Sequence, residues 1–261
     1  MALSYYSLLR HNKAFAYYTI SNLITQFGSW LNFIATLSLI TNLLSQNYLP
    51  KDDIPHDDDQ ATSYTPLALL LFLRMLPALL VSPTIGGPCA DAYDKRKIMI
   101  LLDFSAGFFV GVIFPLAQAL KSPALLYIAV FGLASLDAIY NPAKNAIIPF
   151  MLSTDEEVNK ATSMLAISWS IMAAVGAAVG GLVTDWGGET TCFRVDAVTF
   201  IVSGLLLICM GPNWRKGGAG NSAKLDLGNR ALDSSSTESE AAQKEISTSA
   251  SAWRKVTAGV R

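Results

Sequence analysis

Asp137, Asn141 and Lys144 carry a carboxylate, an amide and an ammonium at i, i+4 and i+7, so a helix presents all three on one face. They stand inside a long apolar run, Pro123 to Leu152, and Arg74 stands inside another, Thr65 to Cys89. A charge in a hydrocarbon core is costly and by default turns to the protein interior, where it marks a path for ions or substrates. Arg74 is about nine residues into its run, roughly 14 Å deep at 1.5 Å per residue. Pro142 removes one backbone hydrogen bond from the fourth run and frees the carbonyl of Ala138. A kinked helix with a polar stripe suits a water-filled cavity. A salt bridge between Arg74 and Asp137 that locks two helices is the alternative these residues allow.

A second stripe lies near the start of the chain. Asn22, Thr25, Gln26, Ser29, Asn32 and Thr36 recur at three-to-four spacing within the run Ala14 to Leu44. Such groups hydrogen-bond across helices for about 0.6 kcal/mol each. The length of the stripe favours a polar path lined by Asn22, Gln26, Ser29 and Asn32. Other chemistry is excluded. The two histidines and three scattered cysteines (Cys89, Cys192, Cys209) form no ligand spacing, so no metal or cofactor is expected. Cys192 and Cys209 lie at opposite ends of one predicted helix and cannot bridge within it. There is no Ser/His pair and no paired carboxylates at workable depth, so an enzyme is not expected.

The elements that position these residues follow from composition. Of the 261 residues, 52% are hydrophobic and 15% charged, and mean hydropathy is +0.38. A soluble domain carries about 25% charge. Six runs reach the roughly 20 residues a bilayer core requires: Ala14–Leu44, Thr65–Cys89, Ile98–Leu120, Pro123–Leu152, Ala161–Thr184 and Thr190–Gly211. The runs are continuous rather than alternating, so they read as helices and not as a barrel. Arg10, Lys13, Lys95, Arg96, Lys97, Lys144, Lys160, Arg215 and Lys216 gather on one side of the membrane, against Lys51 and Lys121 on the other. That asymmetry puts both termini in the cytoplasm. With no cleavable leader or transit segment, the plasma membrane is the expected location.

The first outer loop, Ser45 to Ser63, holds five aspartates but neither the spacing nor the terminal Glu of a calcium loop, and reads as solvated. Residues 1–211 form one six-helix unit. Residues 212–252 shift to Ser, Gly, Ala and mixed charge and read as a disordered cytoplasmic linker. Residues 253–261, with Trp253, Val256 and Val260 on one face, read as the start of an amphipathic helix.

Four local motifs complete the pattern. Gly86 to Lys97 is a short, charged, glycine-containing turn between the second and third runs. Gly176 and Gly180, followed by Gly181, offer a small-residue face for close helix packing. Thr154 and Glu157 form a capping box ahead of the fifth run. Arg194 and Asp196 lie near the outer end of the sixth, where an interfacial anchor is expected.

Together these motifs resemble the amino-terminal half of a major facilitator superfamily transporter, in the branch of enterobactin-exporter-like and macrolide-efflux-like proteins. The carriers are Gly87-x-x-Ala90-Asp91-x-x-Asp94-Lys95-Arg96-Lys97, Arg74 to Pro77, Asn141 to Pro149, Gly176 to Gly181 and Phe193 to Phe200. The resemblance covers about Leu9 to Gly211. It implies an all-α membrane fold, with the six helices as a 3+3 inverted repeat forming one half of the whole. It also implies secondary transport of a small molecule, outward and coupled to protons, by alternating access. Gly87, Asp91, Asp94, Lys95 and Arg96 would form a conformational latch against a second six-helix half, from the same gene or another chain. Two departures stand out: Ala92 replaces a usual basic residue, and Ala177 stands where proton antiporters carry Pro. The alternative role is a non-transporting membrane adaptor paired with another transporter chain. Expected partners are lipid, a small-molecule substrate, protons and the second half, and not nucleic acid.

Overall fold

A computed structural model describes residues 9–10, 12–48, 57–212 and 214. Among them every regular element is helical, and six helices are long and apolar enough to cross a membrane. The first span is Lys13–Tyr48. The second runs as Asp57–Val81, a π-helical turn Ser82–Gly86 and a short helix Gly87–Ala92. The third is Lys95–Ala119, the fourth Pro123–Met151, the fifth Asp155–Gly187 and the sixth Glu189–Cys209. The expected linker and the helix beyond it lie outside the described residues, apart from 212 and 214.

Several boundaries differ from the sequence expectation for identifiable reasons. The second span begins at Asp57, so the outer loop is shorter than Ser45 to Ser63. The fifth begins at Asp155 because the capping box forms there: Thr154 Oγ1 accepts from the Glu157 N–H, and Glu157 returns the bond to the Thr154 N–H. The charged turn is mostly helix. Only Tyr93 and Asp94 interrupt it, and Asp94 caps the third span by accepting from the N–H groups of Arg96 and Lys97.

Packing follows a repeat. The first span packs chiefly on the sixth and fifth, and the fourth packs chiefly on the third and second. The third and sixth close the arrangement against each other. Exchanging spans one to three for four to six maps the contacts of the first span onto those of the fourth and the contact between the third and sixth onto itself. The resulting order in space, 2–4–3–6–1–5, leaves the second and fifth spans at the two ends of an arc.

Two apolar clusters hold the arc. One gathers Leu31, Leu39, Val110, Phe114, Leu126 and Phe193 toward the C-terminal end of the first span. The other gathers Phe15, Tyr18, Met99, Ile147, Met151 and Leu207 toward its N-terminal end. Between them lies a layer of buried polar groups: Ser21, Asn22, Gln26, Asp103, Thr199 and Ser203.

The kink sites meet across one contact. Pro83 brings no N–H to the second span, and the ladder there widens so that Gly87 N–H reaches back to the Ser82 carbonyl. Pro142 leaves the Ala138 carbonyl without its helical donor. Gly86 sits against that carbonyl, and a Cβ there would stand 2.5 Å from the Ala138 oxygen. Glycine is required because the helix backbones touch at this point.

Candidate functional site

A cavity of about 540 Å³ opens in the polar layer. All six spans contribute to its wall. The first supplies Asn22, Thr25, Gln26, Ser29, Trp30 and Phe33, and the second supplies Leu71, Arg74 and Met75. The fourth supplies Leu136, Asp137, Tyr140, Asn141 and Lys144; Asp103, Trp169 and Phe200 come from the third, fifth and sixth. Met75 and Trp169 form part of the rim, 62% and 53% exposed. They belong to the two spans that end the arc.

The helix periods explain the wall. Asn22 and Gln26 are one turn apart on the first span, and Asp137, Asn141 and Lys144 descend the fourth at i, i+4 and i+7. The two helices run in opposite directions across the membrane. Tyr18 OH donates to the Lys144 carbonyl at 2.9 Å and so fixes their register. From that level, a rise of 1.5 Å per residue puts Asn22 and Asn141 about 5 Å up, and Gln26 and Asp137 about 11 Å up. Arg74 lies higher, with its guanidinium 4.8 Å from the centre of the Phe33 ring. The cavity thus holds a cation at each end and Asp137 between them.

Among the described residues no ion pair joins Arg74 to Asp137; the one ion pair there is Lys160–Glu156, at 2.6 Å on the surface. Asp137 is half-buried, and the cations acting on it are Arg74 and Lys144, both without direct contact. Arg74 is held by an aromatic face, not by a carboxylate.

Seven of the eight expected pathway residues line the cavity: Asn22, Gln26, Ser29, Arg74, Asp137, Asn141 and Lys144. Asn32 does not. It is 1% exposed, its side-chain oxygen accepts from Thr36 Oγ1, and it sits beside Asp196 where the first and sixth spans meet. Steps of three residues drift around a helix, and by Asn32 the stripe has turned about 120° from Gln26.

The residues expected to form a latch divide. Asp94 is engaged as a helix cap. Arg96 donates from Nε and Nη2 to the carbonyls of Leu207 and Ile208, both at 2.8 Å, closing the end of the sixth span. Lys95 Nζ stands 4.8 Å from the Phe150 ring centre. Gly87 is half-buried with open space around it, and Asp91 is exposed. In the fifth span, Gly176 faces Trp30 and the Phe27 carbonyl, and Gly180 faces Leu31 and Ile34 of the first span. Gly181 faces open space, since it lies about 100° around from Gly180.

Two carboxylates do not stand out in the sequence as cavity or core groups. Asp103 is 1% exposed in the third span and lines the cavity. Ser203 Oγ of the sixth span donates to its Oδ2 at 2.6 Å, and Ser203 Oγ also bonds Ser21 Oγ of the first span at 2.7 Å. One chain of hydrogen bonds therefore ties three spans at mid-depth. A lone Asp well inside an apolar run is the available signal, by the same cost argument that exposes Asp137. Asp196 is expected, with Arg194, to be an anchor near the outer end, and the structure corrects half of that pair. Arg194 is exposed, but Asp196 is fully buried, seven residues beyond the start of its helix at Glu189. Thr199 Oγ1 donates to its Oδ1, and both side chains occupy the space where a Cβ on Gly28 would point.

Comparison with known proteins matches the same architecture. Residues 18–258 fit the family model described as Major Facilitator Superfamily. The chain is similar to the MFS-type transporter YkuC of Bacillus subtilis, 30% identical over 146 residues, 56% of this chain and 33% of that protein. It is 23% identical over 200 residues to the MFS-type transporter YfiS of the same organism, 77% of this chain and 43% of that protein. It is 25% identical over 148 residues to the staphyloferrin A transporter of Staphylococcus aureus, 55% of this chain and 36% of that protein. Each match thus takes in less than half of the relative's length. With six apolar helices in a repeated arrangement and a family match across most of its length, this multi-pass membrane protein belongs to the Major Facilitator Superfamily.

Proposed function

We propose that the chain is one six-helix half of a secondary transporter that carries a small molecule outward by alternating access, with Asp137 as the proton carrier. The observation that carries this reading is the cavity: two cations and two carboxylates gathered from three helices, at a depth where isolated charges are not tolerated. Protonating Asp137 removes the negative charge between Arg74 and Lys144. The balance between inward- and outward-facing states then shifts by whatever those charges contribute differently to each.

A second half faces the open ends of the arc. The second and fifth spans have only 11% of their most apolar window buried, against 33% to 50% for the other four. Their exposed faces and the cavity rim lie together. Asp91 stands exposed near the basic end, available to that second half in one state and released in the other. The excess of Lys and Arg at this end supports a cytoplasmic location for it and for both termini, at the plasma membrane. Similarity to proteins named as transporters supports transport over a purely structural role.

The test is transport by the complete two-half protein in proteoliposomes, using a panel of small polar and amphipathic compounds and an imposed pH gradient. Asp137→Asn is expected to abolish pH-driven movement while membrane insertion and thermal stability are kept. Unchanged transport in that variant would remove Asp137 from the mechanism. No transport by the unaltered protein, together with capture of a full-length transporter, would favour the adaptor role.

A further inference from the structure

Asn22 and Gln26 form a pair that the helix itself does not need. Gln26 Nε2 donates to Asn22 Oδ1 at 2.9 Å, one turn apart on the first span. Both side chains are buried, 3% and 9% exposed, and both line the cavity. Asn22 Nδ2 and Gln26 Oε1 meet no hydrogen-bond partner. The bond between them lies within one helix, so it ties no two spans together. A buried amide left half-satisfied costs about 1–3 kcal/mol for each unmade partner. Such a cost is tolerated where a ligand supplies the missing groups.

The chemistry of the missing ligand follows from the count of donors and acceptors. Reversing both side-chain amides reverses the bond but leaves the same inventory: at least one free N–H and one free carbonyl. A cation would meet the N–H and an anion would meet the carbonyl, so neither suits the pair. A neutral group that donates from one atom and accepts at another does, and an amide is the simplest of these. The indole rings of Trp30 and Trp169, edge to face at 5.8 Å, stand in the same wall and offer apolar surface for the flanking substituents.

We infer that the cavity binds an amide-containing cargo, whose N–H and carbonyl complete the hydrogen bonds of Asn22 and Gln26. This rests on the transport reading only in naming the ligand as cargo. As the two side chains stand, both unpaired atoms are closed to solvent, so cargo completes their bonds as Asn22 and Gln26 rotate toward the cavity they line.

The experiment is equilibrium binding to the purified protein, read by quenching of tryptophan fluorescence and by the shift in unfolding temperature. The probes are N-acetyl-leucine methylamide and the matched diester, in which oxygen replaces each N–H. The amide is expected to bind about tenfold more tightly, the discrimination that a buried hydrogen-bonding site makes against a ligand lacking the donor. In Gln26→Met and Asn22→Leu the two probes should bind alike. Equal affinity of the unaltered protein for amide and diester overturns the inference, as does binding of neither. That comparison uses the unaltered protein, so it decides the matter even where a variant fails to fold. Failure here leaves the Asp137 result untouched, since that result is read from proton-driven transport.

Discussion

The first and fourth spans hold equivalent places in the two triplets, yet they bring different chemistry to the cavity. The first offers neutral groups: Asn22, Thr25, Gln26 and Ser29. The fourth offers charge: Asp137 and Lys144, with Asn141 between them. Their helices also differ. The first span has no internal proline among the described residues, whereas the fourth contains Pro142 and Pro149. A repeat fixes where two helices stand but not what they do. Neutral donors and acceptors on a helix without proline suit recognition. Charges on a proline-containing helix suit a response to protons and to motion. On the proposed transport reading, altering the fourth span is expected to stop transport, whereas altering the first is expected to change which molecules are carried.

The largest effect expected beyond Asp137→Asn falls on the backbone contact between the second span and the fourth beside Pro142. In Gly86→Ala the new methyl would stand 2.5 Å from the Ala138 carbonyl, a backbone atom that cannot rotate away. Overpacking of this kind costs about 1–3 kcal/mol, and the upper end applies here. Thermal unfolding in detergent would measure it. A contrasting site is Gly28 on the first span, where the obstructing atoms belong to the side chains of Thr199 and Asp196. Gly28→Ala should cost less, because Thr199 Oγ1 and Asp196 Oδ1 can rotate away and leave only Thr199 Cβ, at 3.0 Å, as a fixed obstacle. Equal losses at the two glycines would mean that the backbone contact at Ala138 has no special rigidity.

The next effect is smaller and concerns the layer that joins the triplets. Ser203→Ala removes the donor to Asp103 and also cuts the link to Ser21. A hydrogen bond to a charged group is worth about 1.5–3 kcal/mol, and one between neutral groups in a membrane averages about 0.6 kcal/mol. Ser203→Ala should therefore destabilise by about 2 kcal/mol and Ser21→Ala by less than half of that. Near-equal losses would show that Asp103 gains little from its serine.

Much of this architecture is legible in the sequence. Six continuous apolar runs of bilayer length specify six helices, because a backbone in lipid is satisfied only in helices or a closed barrel, and barrel strands alternate. Arg74, Asp137 and Lys144 stand out because a charge inside such a run has a cost that only a polar interior offsets. What escapes depends on rotation and depth. Asn32 belongs to the stripe by spacing but has turned toward the sixth span. Asp196 looks terminal because its apolar run begins at Thr190, close to the observed Glu189, yet seven residues already carry it into the packed interface. The chain from Asp103 through Ser203 to Ser21 joins residues up to 182 positions apart, and only the helix packing brings them together.

The smallest expected effect tests whether the six helices move as one body. The first span is pinned toward its C-terminal end: Glu189 accepts from Ser38 Oγ at 3.0 Å, Asn42 Nδ2 at 2.6 Å and Gln118 Nε2 at 3.2 Å. Thr190 Oγ1 adds a bond to Gln118 Oε1. The fourth span is pinned toward its C-terminal end, where Asn12 Nδ2 donates to the Met151 carbonyl at 2.7 Å and Tyr18 to that of Lys144. Both ties thus fall toward the C-terminal ends of counterpart spans, although their partners differ: the sixth span for the first, and the first for the fourth. Rocking of rigid halves requires such ties to persist through the cycle, whereas sliding of helices within a half requires them to break. Glu189→Gln keeps the shape but removes the charge, and it should lower stability by about 0.5 kcal/mol, since these bonds are partly exposed. Transport should survive, because a tie that never opens does not set the rate of opening. A change in transport rate larger than the change in stability would place the Glu189 clasp among the moving parts, and the first span would then share the fourth's role.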